Sequence, residues 1–149
     1  GSVVNFTGGK NIENDILSQE SDVLVLAALE NSVTLEIAEK IKAQLVVELA
    51  NGPITADGDD ILSRSGIIVV PDILANAGGV VVSYFEQVQN AYNYYWEETE
   101  ILEKLKKIMT DSFVQVWEKK ETYKTDMRGG AYALALGRIA QAMKDRGMV

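Results

Sequence analysis

Three uninterrupted apolar runs set the strongest limit on what this chain can fold into. They are Val23-Leu24-Val25-Leu26-Ala27-Ala28 behind Asp22, Leu45-Val46-Val47 between Gln44 and Glu48, and Ile67-Ile68-Val69-Val70 ahead of Pro71-Asp72. None alternates apolar with polar residues, as a strand with one wet face would. A run apolar at every position is expected of a strand buried on both faces of a parallel sheet. The segments between the runs carry helical spacing. Residues 34–43 put Ile37, Ala38 and Ile41 on one stripe behind Thr34 as N-cap. Residues 56–65 follow Thr55 as cap, hold Asp57, Asp59 and Asp60 near the positive helix end, and stop at Gly66. Strand, helix, strand, helix, strand within about fifty residues predicts an α/β fold built on a three-stranded parallel sheet with flanking helices. Ahead of it, residues 1–10 read as loop and residues 11–19 as a short amphipathic helix.

Past Pro71 the pattern is helical only. One helix is expected over residues 76–91. A long one follows over 97–120, with Leu102, Leu105, Met109, Phe113, Val116 and Trp117 on its core face. Glu100 with Lys104 and Glu103 with Lys107 make i, i+4 pairs on its other side. Asp126 caps a last helix that ends near Gly147. Tyr92, Tyr94, Tyr95 and Trp96 are expected to fill core or interface space. The whole reads as one domain, like the second half of a doubly wound sheet, and no strand is followed by a Gly-x-Gly-x-x-Gly turn.

Composition narrows the function classes. The net charge is −8 and no basic run is present, which suits neither nucleic acid nor an anionic membrane surface. No apolar run approaches the roughly 18 residues of a membrane helix, and no basic segment leads into an apolar stretch, so a cytoplasmic domain is expected. The absence of Cys and His removes the disulfide, the thiol nucleophile, the Cys-based zinc site and the commonest general base. Catalysis would fall to carboxylates, Lys, Tyr or a cofactor, and no metal site is expected.

In an open parallel sheet, ligands bind beyond the carboxyl ends of the strands. The first such loop is Ala27-Ala28-Leu29-Glu30-Asn31, whose small residues allow a flat ring or a ribose to approach the backbone and equally suit helix–sheet packing. The second, Ala50-Asn51-Gly52-Pro53, offers an amide that both donates and accepts, and is also a plain turn signal. The third, Asn76-Ala77-Gly78-Gly79-Val80-Val81-Val82-Ser83, opens a helix with two glycines, each costing about 1 kcal/mol there. Helical spacing puts Asn76, Val80, Ser83 and Gln87 on one face and turns Val81, Phe85 and Val88 away. That face reads as a pocket wall or as part of a kinked packing helix.

Taken in order, these segments resemble the C-terminal part of the glutamate dehydrogenases, within the Glu/Leu/Phe/Val dehydrogenase family. The resemblance runs through Glu48-Leu49-Ala50-Asn51-Gly52-Pro53, Pro71-Asp72-Ile73-Leu74-Ala75-Asn76-Ala77-Gly78-Gly79, Tyr94-Tyr95-Trp96, Met127-Arg128 and Ala142-Met143-Lys144-Asp145-Arg146-Gly147. It covers essentially the whole chain, and the ordered set is far more specific than any one motif. It implies a partial Rossmann-like domain, with residues 1–75 as the second half of a dinucleotide-binding unit and residues 76–149 as C-terminal helices. It implies cofactor roles, for NAD or NADP, at Ala27 and Ala28 along the adenosine–ribose path and at Asn51 and Asn76 near the nicotinamide ribose and carboxamide. Val80 and Ser83 match the substrate side, the Ser83 hydroxyl bonding the distal carboxylate of glutamate.

The activity implied is oxidative deamination of glutamate to 2-oxoglutarate and ammonium, in an enzyme that forms a homo-oligomer. The family's catalytic Lys and Asp belong to an N-terminal substrate domain with no counterpart here, so no catalytic residue is expected in this chain and the chain alone is expected to be inactive. Gly129-Gly130 departs from the family's alanine-rich pattern and is expected to weaken the start of the last helix. Gln87 stands where thermostable members carry an aromatic residue. Two other readings stay open: a dehydrogenase of another amino acid, of leucine or phenylalanine type, and a truncated assembly module without catalysis.

Overall fold

A computed structural model describes residues 6–9 and 15–148. The first half of the helix expected over 11–19 lies outside them, and its second half is a single 3-10 turn, Asp15–Ser18. Three parallel strands follow, β1 (Val23–Leu26), β2 (Leu45–Glu48) and β3 (Ile68–Val70), in the order β1-β2-β3. Register aligns Leu24 with Val46 and Val46 with Val69. The crossovers carry α1 (Leu35–Ala38) and α2 (Ala56–Arg64). Then come α3 (Asp72–Ala75), α4 (Ala77–Tyr92), α5 (Glu98–Tyr123) and α6 (Met127–Asp145). The expected partial Rossmann-like architecture is the one observed.

The core divides in two. Leu26 and Val46 on one sheet face pack with Val33, Ala38, Ile41, Ala43, Ile54 and Leu62 from the crossovers. Each fully buried aliphatic side chain there contributes about 1.5–3 kcal/mol. Around the end of β3, a smaller cluster joins Leu74 of α3, Val116 of α5, and Met127 and Ala131 of α6.

Several sequence expectations need correction. The first crossover helix is one turn, not ten residues. After Ala38 the amides of Lys40 and Ile41 bond three residues back, and the tightened chain brings both Ile41 and Ala43 into the core. The strands are not buried on both faces within this chain: Val23 and Val25 are 48% and 50% exposed, because the helices packed on that side reach β3 but not β1. On α5 only Val116 of the expected stripe is buried. Leu102 is 54% exposed, since α4 and α6 cover a narrower strip than the apolar pattern spans. Lys104 pairs with Glu100 as expected, but Lys107 turns to Asp111 at 2.6 Å rather than to Glu103. Tyr92, Tyr94 and Tyr95 lie exposed, while Trp96 is half-buried edge-on against Phe85.

Of the three expected caps, Thr34 holds the N-cap position of α1 without a side-chain bond, and the other two bond as expected. Thr55 accepts from the Gly58 amide, and Asp126 accepts from the Gly129 amide at 2.7 Å. The glycines that open α6 have a packing cause that spacing alone hid. A Cβ on Gly130 would lie 2.7 Å from the Val116 carbonyl oxygen and 2.9 Å from the Lys120 nitrogen, so α5 and α6 meet backbone to backbone. On the same helix Gly137 faces open space. Gly130→Ala is therefore expected to cost about 1–3 kcal/mol in urea unfolding, overpacking outweighing better helix propensity. Gly137→Ala is expected to gain up to about 1 kcal/mol. A gain at both positions would disprove the close helix contact.

Candidate functional site at the carboxyl ends of the strands

The first two strand-end loops are tied to each other through the backbone. The amides of Leu49 and Ala50 both donate to the Leu26 carbonyl at 2.8 Å, which leans the second loop against the end of β1. Asn31, in left-handed conformation at φ 52°, donates its amide to the Gly52 carbonyl at 2.8 Å. Gly52 itself sits at φ 52°, so the turn after Asn51 suits glycine. Ala27 and Ala28 lie exposed at the mouth of this arrangement.

The loops bring together two residues that the sequence offered separately. The helix expected over 76–91 is present as α4, with Asn76 at φ −98° and ψ 2° as its N-cap, and a one-turn α3 that spacing did not predict ends at Ala75 just ahead of it. Asn76 Nδ2 donates to Asn51 Oδ1 at 2.6 Å and to the Leu49 carbonyl at 3.4 Å. A main-chain carbonyl only accepts, so the second bond fixes which end of the Asn76 amide faces the loop. Among the described residues, Asn51 Nδ2 and Asn76 Oδ1 remain uncommitted. One donor and one acceptor are thus left at the ends of adjacent strands.

Along α4 the expected faces are present. Val80 is 75% exposed, with Ser83 and Gln87 also exposed on the same side, while Phe85 is buried and Val81 and Val88 half-buried on the other. Of the two glycines, Gly78 is a packing position, where a Cβ would meet Leu105 at 3.7 Å. Gly79 has nothing within 4 Å. The far end of α4 is pinned by buried Gln89, which donates to the Phe85 carbonyl and accepts the Trp96 amide at 2.7 Å. The exposed face of α4 is therefore held in fixed relation to the two asparagines.

Beneath the loops lies a charge cluster that the sequence reading passed over. Glu48, the last residue of β2, is fully buried. Arg128 Nη2 donates to both its oxygens at 2.9 Å. The same guanidinium reaches Asp59 through Nε at 2.7 Å and Asp72 through Nη1 at 3.4 Å. The Asp72 amide donates to Glu48 Oε2 at 2.8 Å, and the Asp72 carboxylate accepts from the amides of Gly52 and Ile73 at 2.9 and 2.8 Å. By sequence position Asp59 is only a helix-dipole residue. The signal that could have revealed the cluster is a glutamate closing a buried apolar strand, since a buried carboxylate demands a countercharge.

Desolvation raises the Glu48 pKa above its ordinary 4.5, against the opposing pull of the Asp72 amide and Arg128. Burial would lower the pKa of Arg128, but the hydrogen bonds and charges of Asp59 and Glu48 outweigh it, and Arg128 stays protonated. Arg128→Ala leaves Glu48 buried without its partner and is expected to cost about 3–5 kcal/mol in thermal unfolding. A loss of no more than about 1 kcal/mol would rank the pair with surface ion pairs instead. Because the folded pKa of Glu48 is raised, its ionisation penalises the folded state above that pKa, and the penalty fades as pH falls toward 4.5. The stability advantage of the native chain over Glu48→Gln is expected to widen as pH drops from about 7 to 5. A narrowing gap in paired melts would show that the pull of Arg128 dominates.

The model of the family described as Glutamate/Leucine/Phenylalanine/Valine dehydrogenase matches residues 1–147. The chain is 48% identical over 148 residues to the NAD-specific glutamate dehydrogenase of Clostridioides difficile, covering 99% of this chain and 35% of that protein. It is 50% identical over 149 residues to the glutamate dehydrogenase of Thermotoga maritima, covering 99% and 36%. Among solved structures, glutamate dehydrogenase from Peptoniphilus asaccharolyticus matches with a TM-score of 0.81 at 47% identity, over 84% of this chain and 32% of that one. The chain spans about a third of the length of these relatives. It belongs to the Glutamate/Leucine/Phenylalanine/Valine dehydrogenase family.

Proposed function

We propose that these residues form the C-terminal segment of a glutamate dehydrogenase, an oxidoreductase that converts glutamate to 2-oxoglutarate and ammonium with NAD or NADP. Residues 1–75 complete the nicotinamide half of its dinucleotide-binding domain, and residues 76–149 add the C-terminal helices. The observation that carries this reading is the Asn51–Asn76 pair. A ribose hydroxyl or a carboxamide needs a donor and an acceptor side by side, and the uncommitted Asn51 Nδ2 and Asn76 Oδ1 offer one of each. The residues present therefore fit the cofactor's polar end. A cofactor held there would supply the hydride acceptor for oxidation at the substrate's α-carbon.

This chain's own residues bind and orient. Ala27 and Ala28 leave room at the end of β1 for the adenosine–ribose path. Asn51 and Asn76 fix the nicotinamide ribose and carboxamide. Val80 supplies an apolar wall, and Ser83, further along the same face of α4, donates its hydroxyl to the distal carboxylate of glutamate. No lysine here is given a catalytic role: Lys104 and Lys107 lie in exposed pairs with Glu100 and Asp111. The complete enzyme assembles as a homo-oligomer.

Recognition of the distal carboxylate rests on Ser83. In the complete enzyme, Ser83→Ala is expected to raise KM for glutamate and for 2-oxoglutarate by about tenfold or more, as loss of a hydrogen bond to a charged group predicts. KM for the cofactor should stay nearly unchanged. The same assay on the 149-residue chain alone should return no turnover. A native preference for a branched apolar amino acid over glutamate would move the assignment to the leucine or phenylalanine type.

A further inference from the structure

The charge cluster and the asparagine pair are not separate features. Asp72 opens the turn that ends in Asn76, and its carboxylate holds the amide of Gly52, the residue directly after Asn51. One side chain thus grips both loops that carry the pair. Asp72 is in turn held twice from below: its amide bonds Glu48 Oε2 at 2.8 Å, and its Oδ1 faces Arg128 Nη1 at 3.4 Å. Arg128 also sets Glu48, through two contacts of 2.9 Å. It lies on α6, far along the chain from either loop.

We propose that Arg128 is a positioning residue for the cofactor-binding asparagines, acting through Glu48 and Asp72 to hold Asn51 and Asn76 in hydrogen-bonding register. The inference rests on the cofactor role given above to that pair. Arg128 touches neither asparagine. Its planar fork addresses three carboxylates from fixed directions, which the single ammonium of Lys cannot reproduce. A shift in the seat of Arg128 moves Glu48 and Asp72, and with them the amide of Gly52 and the turn that delivers Asn76. A role confined to stability would leave the asparagine pair intact in every variant that still folds.

The test is nuclear magnetic resonance of the side-chain amides in the 15N-labelled full chain. The Asn76 NH2 group, bonded to Asn51, should give a resonance displaced from that of a solvated Asn. Arg128→Lys and Asp72→Ala should each lose that displacement while near-ultraviolet circular dichroism shows a folded chain. Ile41→Ala, a cavity in the other core cluster just ahead of the amino end of β2, should keep it at reduced thermal stability. In the complete enzyme, Arg128→Lys should raise KM for the nicotinamide cofactor by roughly tenfold to a hundredfold, as a small misplacement of binding groups does, with little change in KM for glutamate. An unchanged Asn76 resonance in folded Arg128→Lys would overturn the inference, as would its loss in Ile41→Ala. If the resonance responds as expected but NAD and NADP leave both asparagines unperturbed in the complete enzyme, the cofactor reading of the site fails instead.

Discussion

The guanidinium of Arg128 ties the start of α6 to the carboxyl ends of the strands. It sits among Glu48 from β2, Asp59 from α2 and Asp72 from α3, with Glu48 wholly out of solvent. One positive charge against three carboxylates leaves a negative surplus in a poorly solvated place. The main chain absorbs part of it. The amides of Asp72, Gly52 and Ile73 all donate into the cluster, and each of them belongs to a strand-end loop or the turn beside it. A network of this kind is costly when any member is missing and rigid when all are present. The geometry at the carboxyl ends of β2 and β3 is thereby fixed by electrostatics as much as by packing.

The sequence disclosed the sheet more readily than the site. Strand positions follow from local runs such as Leu45-Val46-Val47, which need no partner to be recognised. Caps are just as local: Thr55 and Asp126 act within three residues of themselves. The polar face of α4 followed from helical spacing. What spacing could not give was anything depending on a second element. The Arg128–Glu48 bond joins residues 80 apart in sequence, and the Asn51–Asn76 bond joins residues 25 apart. The one-turn length of α1 escaped for a related reason. Its stripe of Ile37, Ala38 and Ile41 fits a longer helix, but the core takes in Ala43 as well as Ile41, and a regular helix cannot turn both inward.

The apolar patterns that misled are themselves informative. The continuous run in β1 and the wide stripe on α5 would suit elements covered on more sides than this chain covers. Val25 and Leu102 are 50% and 54% exposed. Isolated exposed apolar residues are ordinary, but Val25 shares a strand face with exposed Val23, and Leu102 extends a helix stripe that is buried at Val116. The chain spans about a third of the length of its relatives.

The glycines that open α6 bear on the site more than on the helix. In isolation each weakens α6 by about 1 kcal/mol, and the Asp126 cap returns a similar amount. Their effect is geometric. Gly130 lets the backbone of α6 come against the Val116 carbonyl and the Lys120 amide nitrogen of α5, a contact any side chain would hold open. Arg128 lies two residues earlier, on the first turn of the same helix. Its reach to Glu48 therefore starts from a backbone position set by main-chain contact rather than by side chains that can repack. Interiors packed this closely yield in discrete steps rather than by degrees. The close approach at Gly130 thus seats the arginine whose bonds reach the strand-end loops.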